Sequence, residues 1–511
     1  MILDIDSIKH PSEWAKDYEL PKFNVEKMKE RTLAEPTWLQ IGAGNIFRIF
    51  VAALQQDLLD ANLTDRGIIA YEAYDEEIIT EAFAPYDNLT LGVTLMADGT
   101  LKKRVIASIA DAFAQDFDRL CKIITAPSLQ IISIIITEKG YAVDPSNICA
   151  GPSKAFTTLE QVVAGLFSRF KENGKPLSLV TMDNFAENGT QLAKSVQTIS
   201  QAWIDNNHAP AEFLNYVNAM AYPWTMIDKI TPRPSTAVAD MLDNDGYTAT
   251  QINETKKHTH VASFVNAESA QYLIIEDNFP NGRPLLEKAG AYLTDRETVR
   301  KMDQMKVCAC LNPLHTILAI SGMLLKYPTI SDCMKDTRLV KMLKQSAEEA
   351  LPVVEDPGII NPTDFLNTVL TERFPNPFIP DAPARIACDT SQKVPVRFGV
   401  ALKERKNKGM DIAGLQAAPT FIALWLRYLL GIDDKGAKLE ISPDPRMPDV
   451  LKALEGKGFG VKIDLKPILS NTELFGVDLY DVGLGEKIEG VFAELTAETG
   501  AVNRKLDALY G

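Results

Sequence analysis

The segment KVCACLNPLH, from Lys306 to His315, combines a lysine, two cysteines, an asparagine and a histidine within ten residues. A lysine shielded from water can take the proton of an alcohol, and amide or imidazole groups can hold the oxyanion that forms. Cys308, Cys310 and His315 could instead bind zinc, but a structural zinc site takes four ligands, and the sequence has no second CxxC or HxxH cluster. Alternating Cys-Ala-Cys in an apolar run is more typical of close packing between buried elements.

The spacing within this segment needs an explanation if Lys306 is the base. On one regular helix Lys306 and His315 would point about 180° apart, at ~100° per residue. Pro313 offers two ways around this, because it either starts a helix with Asn312 as its N-cap or kinks a longer helix. A π-bulge would also restore the phase. We therefore keep Lys306 as the predicted base, with Lys393 as the alternative.

A second chemical signal is the glycine turn Gly42-Ala43-Gly44, which follows a short apolar stretch and precedes an amphipathic one. Glycines at a strand-to-helix turn allow a pyrophosphate to approach the first N–H groups of the helix, although Phe47 replaces the third glycine of a full G-x-G-x-x-G pattern. Glu72 and Asp75 follow the next predicted strand. A carboxylate there binds the adenosine ribose and disfavours a 2′-phosphate, so NAD is favoured over NADP. Both acids could instead cap the next helix.

Alternating strands and helices must position these residues in the first half of the chain. The β-branched run LQIISIIIT is typical of a strand buried on both faces, and PLSLVTMDNFAENG predicts another strand that ends in a polar loop. Residues 1–298 are therefore predicted to form an α/β, Rossmann-like, doubly wound NAD-binding domain. From residue 299 the pattern becomes helical, so 299–511 are predicted to form a mostly α-helical domain that carries the substrate and catalytic groups.

Composition excludes several classes of function. The net charge of −15 over 511 residues argues against general nucleic-acid binding, which needs a basic face. The first residues lack the apolar core of a signal peptide, and no apolar run reaches the length of a membrane span. Six cysteines without framework spacing suggest reduced thiols. We expect a cytoplasmic monomer or homodimer without nucleic-acid or membrane partners, and a solvated loop at His258 and His260.

Six stretches in order resemble the polyol-specific long-chain dehydrogenase/reductase family, which includes mannitol dehydrogenases and hexuronate reductases. The resemblance covers roughly residues 38 to 400, and the six stretches are GAGNIFR (42–48, with Ile46 and Phe47 where the family usually has Phe-His), TEKGY (137–141), MDNFAENG (182–189), YPWTMIDKITPRPS (222–235), IEDNFPNGRPLLE (275–287) and ARIACDTSQKVPVR (384–397). The family signature K-x-x-x-x-N-x-x-H is matched at Asn312 and His315, while Lys306 stands one residue too early, because Val307 occupies the expected place.

This resemblance implies roles for individual residues. It implies NAD(H) without a metal as cofactor, with the binding residues Gly42, Gly44, Asn45, Ile46, Glu72, Asp75, Thr137 and Glu138. It implies Lys306 as the base, Asn184 and Asn312 as oxyanion donors, and His315 as a partner of a neighbouring hydroxyl. The family's substrate-binding groups correspond to Asp228, Arg385 and Lys393. Considered without the resemblance, both asparagines would be interpreted as backbone caps in turns.

The substrate is expected to be a small sugar acid or polyol. Arg385 and Lys393 could bind a sugar carboxylate, but Arg385 could equally pair with Asp389 one helical turn away. The resemblance favours zinc-independent, NAD-dependent interconversion of D-mannonate and D-fructuronate. The alternatives are tagaturonate reduction, oxidation of mannitol or mannitol 1-phosphate, and a catalytically silent, NAD-binding sugar sensor.

Overall fold

The computed structural model describes residues 1–144, 148–444, 448–454 and 457–511. The chain divides into two compact units. The N-terminal unit contains Met1–Met96 and Thr100–Arg300, and the C-terminal unit contains Ala97–Gly99 and Lys301–Gly511.

Fourteen strands form from the described residues of the N-terminal unit. They are β1 (Tyr18–Glu19), β2 (Trp38–Ile41), β3 (Ile68–Glu72), β4 (Thr90–Leu95), β5 (Leu101–Ile106), β6 (Ile109–Ala114), β7 (Ile131–Ile134), β8 (Ser178–Thr181), β9 (Thr225–Asp228), β10 (Ile252–Glu254), β11 (His260–Ala262), β12 (Phe264–Glu268), β13 (Tyr272–Glu276) and β14 (Tyr292–Thr294).

Helices alternate with these strands. They are α1 (Val25–Ala34), α2 (Ala52–Asp60), α3 (Glu77–Ala82), α4 (Phe117–Thr125), α5 (Thr158–Glu172), α6 (Asn188–Asp205), α7 (Glu212–Asn218) and α8 (Thr236–Asn244), followed by α9 (Arg296–Met305), which continues into the C-terminal unit. The start of α5 shows why the local sequence is helical: the Thr157 hydroxyl accepts the N–H of Glu160 at 3.3 Å, and the Glu160 carboxylate accepts the N–H of Thr157 at 2.7 Å. This capping box satisfies two N–H groups that the helix itself leaves without an acceptor.

A five-stranded parallel sheet is the centre of the N-terminal unit. Its strand order is β6-β3-β2-β7-β8, which in chain order is the 3-2-1-4-5 order of doubly wound nucleotide-binding sheets. Successive residues of β7 face opposite sides: Ile131 packs in the core that contains α2, and Ile132 packs in the core that contains α4 to α6. Helices therefore cover both faces, which explains the unbroken apolar run and confirms the predicted Rossmann-like fold.

Three smaller groups of strands surround this sheet, in the orders β1-β5-β4-β12, β14-β13-β9 and β10-β11. The last is an antiparallel hairpin with Ile252 opposite Ala262. The predicted loop at His258 and His260 is therefore wrong in part, because His260 begins β11 and only His258 lies at the exposed hairpin tip. Val261, 2% exposed, packs its side chain into the core and fixes the hairpin.

The C-terminal unit is helical, and its described residues contain no strand. Its helices are α10 (Asn312–Leu325), α11 (Ile330–Cys333), α12 (Thr337–Ala350), α13 (Pro362–Thr368), α14 (Pro383–Ala387), α15 (Thr390–Val394), α16 (Val400–Asn407), α17 (Ala417–Tyr428), α18 (Pro448–Leu454), α19 (Lys466–Leu469), α20 (Thr472–Phe475), α21 (Gly485–Leu495) and α22 (Ala501–Tyr510). Every residue of α17 is buried, so this helix forms the centre of the unit. The predicted mostly α-helical half is confirmed.

Four segments are π-helical within the described residues: Phe47–Val51, Lys306–Cys310, Val369–Arg373 and Pro395–Gly399. The second joins α9 to α10, so that Arg296–Leu325 forms one continuous helix of 30 residues, which contains a long apolar window. Its length and composition would suit a membrane span, but 78% of its most apolar window is buried inside the protein. Packing in the core accounts for its apolar character.

Candidate active site

The glycine turn lies where β2 ends beside β7. Gly42 has a φ of +88°, and a Cβ at this position would lie 2.0 Å from the carbonyl oxygen of Ile135, so only glycine fits. A Cβ on Gly44 would meet nothing within 4 Å. Asn45 and Ile46 begin the helix and are partly exposed. Open space at Gly44 in front of a helix start fits a pyrophosphate, and strand order reverses at β2, as it does at dinucleotide sites.

The residues after the turn have structural roles. Phe47, in the place of a third glycine, is fully buried in the core and starts the π-helical segment Phe47–Val51. Arg48, 1% exposed, donates to the carbonyl of Ala262 at 2.9 Å and to the hydroxyl of Thr90 at 3.2 Å. Burial lowers the pKa of Arg48 to about 10. Its guanidinium anchors the helix that follows the glycine turn to two distant strands.

Glu72, the last residue of β3, supports the glycine turn directly. One carboxylate oxygen accepts the N–H of Ala43 at 2.8 Å. The other accepts the N–H groups of Tyr74 at 2.9 Å and Asp75 at 3.2 Å. Each carboxylate oxygen has two lone pairs, so these contacts leave capacity for a ribose hydroxyl. Glu72 therefore joins the ends of β2 and β3 at the edge of the sheet that carries the glycine turn, which we call the nucleotide edge.

Asp75 is tied to the tip of the β10–β11 hairpin. Its carboxylate accepts the hydroxyl of Thr255 at 2.7 Å, and it is 3% exposed. The next contact along the same surface is between Glu77 and the N–H of Lys256 at 2.7 Å. Glu76 is the N-cap of α3, and its side chain makes no cap hydrogen bond. The alternative in which Glu72 and Asp75 cap the next helix is therefore wrong.

The remaining candidates of the N-terminal unit follow the ends of other strands. Thr137 and Glu138 lie just beyond β7 and are exposed, and Asn184 lies just beyond β8 and is also exposed. Asp228 is the last residue of β9 and is 4% exposed. Because β7 and β8 are parallel neighbours, Thr137, Glu138 and Asn184 share the edge of the sheet that carries the glycine turn.

Lys306 begins a π-helical segment, and this explains its unusual spacing. The N–H of Leu311 donates to the carbonyl of Lys306 at 3.2 Å, an i to i+5 bond, and α-helical bonding resumes from His315 to Leu311 at 3.0 Å. The wide turn absorbs one residue, so Lys306 and His315 lie about 80° apart instead of about 180°. The predicted π-bulge is confirmed. The alternative with Asn312 as N-cap is wrong, because Leu311 holds that position and Asn312 is the first helical residue.

Burial distinguishes the side chains of this segment. Lys306 is 1% exposed, Cys308 4% and Cys310 0%. Burial raises the pKa of both thiols to about 12, so they stay protonated. Cys308 donates to the carbonyl of Val396 at 3.4 Å, and Cys310 to that of Pro362 at 3.6 Å. The packing interpretation of Cys-Ala-Cys is confirmed, and the described residues contain no group of three potential metal ligands.

His315 faces a carboxylate from another element of the same unit. Its Nε2 lies 3.4 Å from Asp381 Oδ2, without the alignment of a hydrogen bond, and its ring packs at 5.2 Å from that of Phe374. Burial lowers the pKa of His315, and Asp381 opposes this shift only in part. Burial alone would raise the pKa of Asp381, but His315 and Arg385 lower it below its ordinary value. The imidazole is therefore neutral at pH 7.

Arg385, in α14, makes its ion pair with Asp381, which lies four residues earlier, before the helix begins. The proposed pairing with Asp389 is wrong, because Asp389 has a φ of +53° and precedes α15, outside the helix that carries Arg385. Asp381 thus holds both His315 and Arg385. The side chain of Arg385 remains 65% exposed, so it can still contact a ligand.

Lys393 and Arg397 anchor neighbouring helix ends. Lys393 donates to the carbonyls of Ile386 at 2.9 Å and Cys388 at 2.6 Å, which closes the end of α14. Burial lowers the pKa of Lys393, and the charge of Arg397 lowers it further. Arg397 donates to the carbonyl of Asn312 at 3.0 Å, and burial lowers its own pKa to about 10. Arg397 therefore fixes the start of α10, which carries Asn312 and His315.

Three residues with clear contacts in the structure were assigned no role from the sequence: Asp183, Asp381 and Arg397. Asp381 lies four residues before Arg385 but outside α14, so helical spacing could not indicate their ion pair. Arg397 lies in register in the quoted family pattern, and Asp183 precedes Asn184 in another. No local pattern signals that the side chains of Arg397 and Asp183 bond backbone groups of distant segments, or that the carboxylate of Asp381 lies beside His315.

Comparison with known proteins identifies the family. Residues 36–288 match the family model described as Mannitol dehydrogenase Rossmann domain, and residues 298–495 match Mannitol dehydrogenase C-terminal domain. D-mannonate oxidoreductase of Thermotoga maritima is 44% identical, over 100% of this chain and 99% of its own length. Mannitol 2-dehydrogenase of Cereibacter sphaeroides is 27% identical, over 88% of this chain and 91% of its own length.

Two solved structures share the fold of the whole chain. A D-sorbitol dehydrogenase in substrate-free form has a TM-score of 0.81 and 21% identity, covering 100% of both chains. The Pseudomonas fluorescens mannitol 2-dehydrogenase in ternary complex with NAD and D-mannitol has a TM-score of 0.73 and 24% identity, covering 100% of this chain and 99% of its own. The chain belongs to the mannitol dehydrogenase family.

Proposed function

We propose that this protein is an NAD(H)-dependent, zinc-independent oxidoreductase that interconverts D-mannonate and D-fructuronate. The observation that carries the proposal is the 44% identity over the full chain with a D-mannonate oxidoreductase. The glycine turn, the open space at Gly44 and the carboxylate of Glu72 support NAD(H) as the cofactor. In this role, bound NAD(H) supplies the hydride chemistry, and the protein supplies binding, orientation and proton transfer.

A cationic surface on the C-terminal unit supports a sugar acid as substrate. Arg385 is exposed, and its charge acts on His315 and on Lys393 together with that of Arg397. A planar guanidinium can bind a carboxylate through two parallel hydrogen bonds. Lys393 has three N–H donors, of which two bind the carbonyls at the end of α14. We assign the carboxylate of the hexonate to Arg385 and Lys393, and assign Asp228 to sugar hydroxyls.

Proton transfer is assigned to Lys306. Its side chain is 1% exposed, so bulk water has almost no access to the amine that exchanges a proton with the substrate. In the oxidative direction the neutral amine accepts the proton of the substrate hydroxyl, and in the reductive direction the ammonium returns it. The amides of Asn184 and Asn312 donate to the developing alkoxide, a contribution often worth ~3 kcal/mol per donor.

His315 is assigned to orient a hydroxyl beside the reacting carbon. The carboxylate of Asp381 favours the tautomer with the proton on Nε2, which leaves Nδ1 as an acceptor. The lowered pKa of His315 supports a neutral ring, so the imidazole accepts a hydrogen bond and does not compete with Lys306 for the role of acid.

A substrate screen with NADH tests the proposal. D-fructuronate, D-tagaturonate, D-fructose and D-fructose 6-phosphate are compared by kcat/KM, and D-fructuronate is expected to be highest. A higher value for D-tagaturonate, or for either neutral or phosphorylated fructose, would replace the proposed substrate. Binding of NADH without turnover of any of them would favour a sugar sensor.

The cellular location and the oligomeric state of the enzyme are part of the same proposal. We expect a cytoplasmic protein, which is supported by Cys121, Cys308, Cys310, Cys333 and Cys388 being free thiols. A monomer or homodimer without nucleic-acid or membrane partners remains our prediction. Size-exclusion chromatography with light scattering measures the oligomeric state.

A further inference from the structure

We propose that Asp183 is a positioning residue for the turn that follows β7, because its carboxylate holds Thr137 in a strained backbone conformation beside the nucleotide edge of the sheet. The proposal rests on the proposed function for the identity of the cofactor. It does not depend on which sugar is the substrate.

The strain is located at Thr137. Its φ of +67° and ψ of 154° lie in a region that glycine occupies almost alone. Threonine is branched at Cβ, which makes this conformation still less favourable. The residue is exposed, so packing around its side chain does not account for the conformation. Contacts to the backbone must therefore hold it.

The carboxylate of Asp183 provides these contacts, and we call its hydrogen bonds to the two backbone N–H groups the clamp. One oxygen accepts the N–H of Ile136 at 2.9 Å, and the other accepts the N–H of Thr137 at 3.2 Å. The hydroxyl of Tyr141, which is 1% exposed, donates to the same carboxylate at 2.7 Å. Burial raises the pKa of Asp183, and these three donors oppose that shift by stabilising the ionised form.

Asp183 is itself rigidly held. The side-chain amide of Asn188 donates to the carbonyl of Asp183 at 3.0 Å and to the carbonyl of Thr225 at 3.0 Å. The amide oxygen of Asn188 accepts the N–H of Thr225 at 3.0 Å. The loop that contains Asn184 is thus fixed to β9 at Asn188, and the carboxylate of Asp183 links this loop to the turn at Thr137.

The clamped turn lies where a dinucleotide is expected. Ile135, two residues before Thr137, donates its N–H to Ile41 at 2.9 Å, and its carbonyl leaves no room for a Cβ on Gly42. The turn therefore stands at the boundary of β2 and β7, where strand order reverses. Movement of Thr137 would change the surface that contacts the cofactor. The same clamp also fixes the position of Asn184 relative to Thr137.

Asp183→Asn tests the clamp, because asparagine keeps the shape but turns an NH₂ group toward one of the two backbone N–H groups. We expect the Kd of NADH, from fluorescence titration without sugar, to rise about tenfold. In this background Thr137→Gly is expected to recover most of the lost affinity, since glycine adopts the conformation without a clamp. Thr137→Ala is expected to recover none.

Asp434→Asn in the C-terminal unit is the matched control. This carboxylate is 2% exposed and likewise accepts two backbone N–H groups, from Val502 at 2.8 Å and Asn503 at 3.3 Å. The control is expected to lower the Tm and leave the Kd of NADH unchanged. An unchanged Kd in Asp183→Asn, or equal effects of glycine and alanine at position 137 in that background, would overturn the proposal.

A second measurement tests the proposal even if Asp183→Asn does not fold. In the otherwise unchanged protein, Thr137→Gly is expected to have a higher Tm than Thr137→Ala, the reverse of the usual order. The usual order would overturn the assignment of strain. Failure of the proposed cofactor is distinguishable, because the unaltered protein would then not bind NADH. Failure of the proposed substrate leaves this test unaffected, because the titration contains no sugar.

Discussion

Deletion of Val307 tests whether the π-helical turn keeps Lys306 in phase with His315. The deletion leaves Lys306-Cys308-Ala309-Cys310-Leu311-Asn312, with one residue fewer between lysine and asparagine. At ~100° per residue, nine α-helical steps would separate Lys306 from His315 by about 180°, and eight steps by about 80°. The π turn already accommodates the extra residue, so its removal is expected to convert the turn to α-helix without rotating the flanking helices.

We expect the deletion variant to keep kcat/KM with NADH and the keto substrate within about tenfold of the unaltered protein. This follows because the orientation of Lys306 is retained, while loss of general acid–base catalysis would cost about a hundredfold or more. The structural cost falls on two weak thiol contacts, from Cys308 to Val396 at 3.4 Å and from Cys310 to Pro362 at 3.6 Å. A modest fall in Tm should accompany the change.

The assay follows NADH oxidation, with circular dichroism and NADH titration to verify the fold. Deletion of Ala319 from the regular part of α10 is the control; this residue is fully buried, and removing it rotates one end of the helix by about 100°. That variant is expected to lose far more stability. If the Val307 deletion folds and binds NADH but loses a hundredfold in turnover, the phase argument is refuted.

Three further predictions concern single side chains. Lys306→Ala is expected to lower kcat about a hundredfold or more with little change in the Kd of NADH, whereas Lys301→Ala, on the preceding helix, should leave kcat near its normal value; equal effects would remove Lys306 from its role. The protein is expected to prefer NADH to NADPH. Asp75→Asn should lower the ratio of kcat/KM with NADH to kcat/KM with NADPH about tenfold, because the negative charge is lost. Equal use of both cofactors by the unaltered protein would contradict this. Burial lowers the pKa of His315 in the folded protein, so as the pH falls the unfolded chain takes up the proton at a higher pH than the folded protein does. The contribution of the neutral imidazole to the free energy of unfolding is therefore full above about pH 6.5 and is lost as the pH falls toward the pKa of the folded state. Denaturant unfolding between about pH 5 and 7.5 should show this slope weakened in His315→Gln, and an unchanged slope would show that other groups cause it.

The central sheet could be predicted because its cause is local. A strand covered on both faces needs apolar side chains at successive positions, and the run that forms β7 has them. The strand β5 shows the opposite case, since its sequence LKKRVI carries three charges in a row. Lys103 is nevertheless only 7% exposed, because Asp17 and Asp245 pair with it from distant parts of the chain. No local pattern could reveal those partners.

The candidate site divides in the same way. Motif spacing gave the positions of Asn184 and Arg385, since these residues stand in register with a family pattern. It did not give Asp183 or Asp381, whose carboxylates act on groups brought close only by folding. The carboxylate of Glu72 was predicted at the correct strand end, but its hydrogen bond to the N–H of Ala43 depends on the pairing of β2 with β3.

The π-helical segments explain why phase was the hardest property to predict. Among the described residues, each of the four contains a basic residue, and Arg48, Lys306 and Arg373 are 1%, 1% and 3% exposed. A buried polar side chain needs a fixed direction toward its partners, and one extra residue in a turn rotates a side chain by about 100° relative to the rest of the helix. Sequence spacing reports such an insertion only when a reference spacing exists, as at Lys306. At Arg48, no spacing anomaly was available, and the wide turn became visible only in the hydrogen bonding of the folded chain.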